Sequence, residues 1–335
     1  MAMGAAPGPG AAHAREILRG AAACALQAPS SHNTQPWRFR LHDDRLEVRL
    51  DRTRQLEVID PDARQLTISV GCALFNARLA IRNAGYLEHV EPFPERDDRD
   101  LAATLRLGLV RSPIDDDRAL LAAVARRATN RRPFHDRPVG QAIADELIKV
   151  ARRERASMHR LVPEAKHKLA ELVATADRAQ YADPAFRDEL ARWLAGAGSL
   201  RKDGIPFAEK EYGSALPFTV ARRLRTLDLG DRFGELEQAL IEGSPLVVVM
   251  STQRDEPIDW LDAGQALQAV LLRATMHQLS AAFLGQVLEE PELRDEIQGL
   301  LGVTASPQVV LRLGYADPVA RLAPRRDLAD VLDEA

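Results

Sequence analysis

Between residues 46 and 50 the chain reads LEVRL, apolar and polar by turns, which is the period of a half-buried strand. TLRLG (104–108), LVVVM (246–250) and VVLRLG (309–314) predict three further strands. Longer segments carry the helical period. One covers 14–27, where Pro29 stops it. Another covers about 61–84, with Asp60 expected as N-cap, Pro61 at the first helical position and Gly85 as the stop. Apolar residues lie on most sides of this second helix (Leu66, Ile68, Val70, Leu74, Phe75, Leu79, Ile81), which predicts burial all round. A third long helix is expected over 260–279.

The order of these elements repeats. GCAL (71–74) is answered by GQAL (264–267), and LRLG (105–108) by LRLG (311–314), in the same order at offsets of about 200. The pattern predicts a tandem duplication whose two units pack as a pseudo-symmetric pair. Expected boundaries are a disordered tail over 1–13, a first unit over 14–112 and a second over 113–335. The second unit carries an insertion at about 163–240 with no counterpart in the first. Helices are expected there at 165–179 and 184–195, followed by an irregular stretch, 196–218, and aromatics are scattered through the insertion (Trp193, Phe207, Tyr212, Phe218). A lid and a plain surface excursion both suit such an insertion.

Composition narrows the function classes. The 335 residues are 46% hydrophobic and 28% charged, as in a folded water-soluble protein, and the net charge of -4 argues against a general nucleic-acid binder. No apolar run approaches the roughly 18 residues of a membrane-spanning helix. The N-terminal MAMGAAPGPGAAHA has neither a basic start nor a long apolar run, so no signal peptide is expected. Cys24 and Cys72 read as reduced core residues of a cytoplasmic protein. Phosphate-loop, dinucleotide, nucleophile-elbow and zinc signatures are missing, and no metal site is expected. Asp115, Asp116 and Asp117 read as a solvated helix start.

Two stretches stand out against this plain background. PSSHNTQPWRF (29–39) gathers more hydrogen-bonding side chains than a turn needs, beside a tryptophan. Such an array suits a planar heterocycle with carbonyls, ring nitrogens and hydroxyls, although Ser30, Ser31 and Asn33 also suit capping and turn roles. RRATNRRPF (126–134) places four arginines where a helix is expected to end against Pro133. It reads either as a solvated basic helix end or as an anion clamp, and PRR (324–326) could meet the same anion.

PSSHNTQPW resembles the Pro-Ser-Ser-x-Asn-x-Gln-Pro-Trp motif of the nitroreductase family of FMN flavoproteins. Arg127, Thr129 and Arg131 resemble that family's Arg-x-Ser-x-Arg motif, and LGYADPVARLAPRRDL (313–328) its closing strand and basic tail. Family members are usually homodimers with FMN at the interface. Here the first half has the serine loop without the arginine motif, and the second has the arginines with ARRERASMHRL (151–161) in place of the loop. These complementary losses resemble the Acg-like branch, single-chain fusions that would keep one composite site.

The resemblance implies an α+β fold, two nitroreductase-like units, each a mixed sheet flanked by helices. It also implies roles. Arg127, Arg131, Arg325 and Arg326 would hold the FMN phosphate and ribityl side, with Thr129 assisting. Pro29, Ser30, Ser31, Asn33 and Gln35 would form the wall against the ring, with His32 a loop or ring-edge contact. AAFLGQ (281–286) aligns with the segment whose amide points at flavin N5, which implicates Leu284 and Gly285. The implied activity is hydride transfer from NAD(P)H through FMN to a small-molecule acceptor such as a nitroaromatic or quinone, with no catalytic side chain. The chain would be a monomer with an internal pseudo-dimer, or a homodimer. The alternatives are a flavin-sequestering protein with the site covered, and a degenerate fold that has lost FMN.

Overall fold

A computed structural model describes residues 10–195, 199–206, 225, 228–318 and 323–335. The expected tail lies outside them through residue 9, as do Phe207, Tyr212, Phe218 and most of the irregular stretch. Helix α1 (Ala11–Ala25) turns Ala14, Leu18, Ala21, Ala22 and Ala25 inward and ends ahead of Pro29. Strand β1 (Trp37–Leu41) buries Trp37, Phe39 and Leu41 at alternate positions and pairs antiparallel with β2 (Leu46–Leu50).

Helix α2 (Arg64–Asn83) starts later than Asp60-Pro61 predicted. Ala63 adopts left-handed backbone, φ 60°, and interrupts the turn there. Asp60 still caps the helix, from outside it: its two carboxylate oxygens accept from the Gln65 and Leu66 N–H groups at 2.9 and 2.8 Å. Gly85, at φ 94°, ends the helix as expected. β3 (Tyr86–Pro92) and β4 (Leu101–Val110) then complete the first half.

The second half opens with α3 (Asp115–Val124) and α4 (Gln141–Arg153), followed by β5 (Ser157–Arg160). The triple aspartate does start α3, but it is not simply solvated. Asp117 is buried and pairs with Arg111 at 2.9 Å, while Asp116 takes a two-pronged bond from Arg273 at 2.7 Å; only Asp115 is fully in water. Next come α5 (Pro163–Ala182), α6 (Pro184–Trp193), the two-residue strands β6 (Leu194–Ala195) and β7 (Ile205–Pro206), and α7 (Gly230–Glu242). The chain then forms β8 (Leu246–Thr252), α8 (Pro257–Met276), β9 (Ser280–Phe283), α9 (Pro291–Leu301), β10 (Ser306–Gly314) and β11 (Leu332–Glu334).

Two main sheets result. One has the order β11-β1-β2-β4-β3, the other β5-β8-β10-β9. With β11 set aside, β1-β2-β4-β3 and β5-β8-β10-β9 are the same antiparallel arrangement, strand for strand. β11 adds a parallel edge, Phe39 opposite Leu332, from a segment beyond the second sheet.

Between the sheets α2 packs against α8, and a single apolar cluster runs from Phe39 and Val48 through both helices to Val248 and Leu311. The helices cross where Gly71 meets Gly264. A Cβ at Gly71 would lie 2.3 Å from the Leu261 carbonyl oxygen, and one at Gly264 would lie 2.0 Å from that of Ile68. Only glycine permits this approach. A buried bond from Gln268 Nε2 to Asn76 Oδ1, 2.7 Å, sits one turn further along. Among the described residues no helix is long and apolar enough to cross a membrane.

Candidate functional site

A cavity of about 730 Å³ lies between the halves. It is lined by the 29–33 loop and α2 from the first, and by 127–132, α5, α7, β9, β10 and Arg325 from the second. Ligand pockets of globular proteins fall in this size range.

The polar loop forms as it does because it is strained. His32, Asn33 and Gln35 all take positive φ, 48°, 54° and 51°, a region costly for residues other than glycine. Side-chain bonds hold it there. Ser30 Oγ accepts from the Gln35 N–H at 2.9 Å. Asn33 Nδ2 donates to the carbonyls of Gly204 and Pro324 at 3.1 and 3.2 Å. Gln35 is fully buried; its Nε2 donates to the Lys202 carbonyl at 2.7 Å, and its Oε1 accepts from the Arg326 N–H at 2.8 Å. Much of this polarity therefore ties the loop to segments 170 and 290 positions away. Replacing the buried Gln35 with alanine removes both of these bonds, and should cost about 1–3 kcal/mol in urea unfolding.

The 126–134 stretch is not the helix end expected. α3 stops at Val124, and the chain runs extended beside β9, with Thr129 bridged to Ala281 and Asn130 N–H donating to the Ala281 carbonyl at 2.9 Å. This turns Arg127 inward, 8% exposed, while Arg131 stays exposed at the rim. Arg127 Nε is buried without a partner, and among the described residues no carboxylate pairs with this guanidinium. Arg325 arrives from the far end of the chain. Its Nη1 donates to Asn33 Oδ1 and to the Ala323 and Pro324 carbonyls at 3.0–3.1 Å, and its Nε too has no partner. Burial pulls Arg127 down to about 10, and burial with repulsion from Arg127 pulls Arg325 down to about 9. Two cations thus share one wall, and among the described residues no carboxylate pairs with either. His32 Nδ1 is also unpartnered; burial, then Arg131, lowers its pKa to about 4, so the ring is neutral near pH 7.

Pro29, Ser30, Ser31, His32, Asn33, Arg127, Thr129, Arg131, Gly285 and Arg325 all line this one cavity. Gln35, Leu284 and Arg326 do not. Gln35 and Arg326 lie behind the loop, joined to each other, and Arg326 faces Asp51 at 3.7 Å. Leu284 is fully buried, its N–H donating to the Val310 carbonyl at 3.0 Å. The Gly285 N–H, by contrast, meets no acceptor among the described residues.

Sequence reasoning missed three groups. Arg312 is almost completely buried, its guanidinium donating to the Arg131 and Arg132 carbonyls at 2.9 and 3.0 Å over the Phe134 ring. It holds the arginine strand in place. A polar chain also crosses the wall: Ser31 Oγ donates to Gln65 Oε1 (2.6 Å), while Gln65 Nε2 (2.8 Å) and Gln180 Nε2 (2.7 Å) donate to Glu289. Lastly, Asp177 and Glu237 line the cavity from α5 and α7. No local motif announces any of these; periodicity marks only the helices that carry some of them.

Burial raises Glu289 and Asp177 from ordinary values of 4.5 and 3.8 to about 7, with Glu237 adding to the rise at Asp177. The folded protein therefore binds more protons than the unfolded chain between about pH 4 and 7, and stability from these groups falls as pH rises through that window. A D177N/E289Q protein should show a smaller drop in melting temperature than the parent across it.

Residues 123–315 match the profile of the Nitroreductase family. Over 324 residues the chain is 32% identical to "Putative NAD(P)H nitroreductase Rv3131" of Mycobacterium tuberculosis, covering 95% of this chain and 91% of that protein. It is 27% identical to "Putative NAD(P)H nitroreductase acg" of the same organism, over 94% of this chain and 95% of the relative. The solved FMN-dependent nitroreductase NfnB of Mycobacterium smegmatis, in complex with NADPH, is 19% identical over 64% of this chain and 97% of its own, at a TM-score of 0.42. On the profile match and the near full-length relatives, the chain belongs to the nitroreductase family, among Acg-like members.

Proposed function

We propose that this cavity holds FMN and that the protein is an NAD(P)H-dependent oxidoreductase acting on small-molecule acceptors. One observation carries the reading: Arg127, buried, and Arg325, half-buried, share the cavity wall, each with a buried, unpartnered Nε and, among the described residues, no paired carboxylate. A dianionic phosphate is the complement of such a pair. Arg131 at the rim and the Thr129 hydroxyl add to that end. The 29–33 loop, stiffened by its own bonds, and the Gly285 amide offer fixed donors and acceptors to the ring. FMN, when bound, would supply the redox chemistry between a reduced nicotinamide and the acceptor. The chain's part is to orient, to desolvate and to keep His32 neutral at the loop.

The same reading makes the chain a fused pair with one surviving site. Matching Gly71 to Gly264 sets Ser69 and Cys72, which line the large cavity, against Asp262 and Gln265. Those two line a smaller cavity of about 280 Å³, with β3 in the place of β9 and residues 153–155 in the place of the serine loop. Charges fill it. Arg78 bonds Glu154 at 2.5 Å and Gln265 at 2.8 Å, and Arg155 lies 3.6 Å from Asp262. Self-neutralised groups here, against unneutralised arginines there, support loss of one site and retention of the other. Domain limits near 14–112 and 113–335 follow from this reading.

Quenching of flavin fluorescence on titration with the protein tests the binding claim; no quenching would overturn it. Anaerobic NADPH should then bleach the visible flavin absorbance. The insertion favours a second reading, since Tyr181, Phe186 and Phe233 from α5, α6 and α7 also line the cavity and could cover the ring. Bound flavin that stays oxidised under NADPH would select sequestration over turnover.

A further inference from the structure

The part of the cavity lining that the insertion supplies has the opposite chemistry to the arginine wall. Asp177 is 5% exposed, lines the cavity, and has one oxygen, Oδ2, buried without any partner. Its other oxygen has only a long bond, 3.4 Å, from Gln286 Nε2. Glu289 accepts from two neutral amides, Gln65 and Gln180, and Glu237 lines the same space from α7. None of the three has a Lys, Arg or His partner within ion-pair distance among the described residues; Arg64 near Glu289, Arg178 near Asp177, and Arg131 and Arg312 near Glu237 act only at longer range. Beside them stand Tyr181 and Phe233, stacked at 4.8 Å, with Phe186 edge-on to Tyr181 at 5.3 Å.

A buried carboxyl oxygen without a partner needs a donor, and a carboxyl group beside aromatic rings is the usual recognition set for an organic cation. We propose that Asp177, with Glu237 and Glu289, forms a subsite for a cationic nitrogen, so that the acceptor reduced here carries an amine or amidine next to its reducible group. The insertion then selects among substrates by charge. Burial keeps Asp177 and Glu289 largely protonated below about pH 7, so a cation would bind by displacing a proton. This assignment rests on the FMN reading for the word acceptor, but not for the cation preference itself.

The test compares 4-nitrobenzylamine with the neutral 4-nitrobenzyl alcohol, by calorimetry on the FMN-saturated chain at about pH 6.5, in two buffers of different ionisation enthalpy. The amine should bind about tenfold tighter or more and release close to one proton, while the alcohol should release none. D177N and E237Q, two conservative variants whose melting temperatures are checked first, should each narrow the preference, and D177N should also remove most of the proton release. Equal affinities for the two probes, or a preference that D177N and E237Q both leave intact, would overturn the subsite. FMN uptake is followed separately by fluorescence quenching. Lack of uptake overturns the flavin reading, whereas an uncharged preference in protein that has taken up FMN overturns only this one.

Discussion

An Arg127→Met protein should melt at a higher temperature than the parent when empty, and should bind FMN about 10²-fold more weakly. The two effects have one cause. In the empty protein Arg127 is a desolvated cation whose Nε meets no acceptor and whose neighbour Arg325 is also positive, so folding has to bury charge without compensation. Methionine fills similar space without that cost. With a phosphate in place, the same guanidinium contributes charge-assisted bonds worth about 1.5–3 kcal/mol, and the variant loses them. Thermal melts with and without FMN, alongside a fluorescence titration, read both numbers on one preparation. A variant that is less stable when empty and equally tight for FMN would make Arg127 a structural residue and remove it from the site.

Gly264→Ala should cost at least about 3 kcal/mol in urea unfolding, the top of the usual range for overpacked cores or beyond it. The added methyl would meet the Ile68 carbonyl oxygen at 2.0 Å and the Gly71 Cα at 2.8 Å. Both obstacles are backbone, so no rotamer change relieves them; α2 and α8 must move apart. Both helices also line the cavity, through Gln65, Ser69 and Leu267, so the same change should weaken FMN binding. Gly71→Ala meets the facing side of the same crossing, and the double variant should cost less than the sum of the two. A Gly264→Ala protein as stable as the parent would show that the helices are not held at this distance.

The strands LEVRL, TLRLG, LVVVM and VVLRLG were legible because alternation or a run of β-branched residues fixes them locally. The long helices were legible too, down to Gly85. The start of α2 was not, because Ala63 in a left-handed turn carries no sequence signal and Asp60 caps across it. β3, β5, β9 and β11 are short or irregular in pattern, and their partners rather than their own residues define them. At the site, the loop and the arginine stretch were visible as local concentrations of unusual residues. What sequence could not distinguish was direction: Ser30 and Ser31 face the cavity, while Gln35 and Arg326, equally polar, fasten the loop from behind. Asp177, Glu237 and Glu289 escaped because their elements come together only in the fold.

β11 has a consequence for how the molecule is made. The edge of the first sheet is completed by Leu332–Glu334, and the loop at Gln35 is fastened by Arg326, 291 positions later. During synthesis the N-terminal half therefore emerges with an unsealed edge strand and an unfastened loop, and stays so until those residues leave the ribosome. Arg325 arrives on the same segment. The arginine wall and the sheet edge are thus closed by one late event, so the cavity is completed only at the end of folding and the nascent first half depends on protection until then.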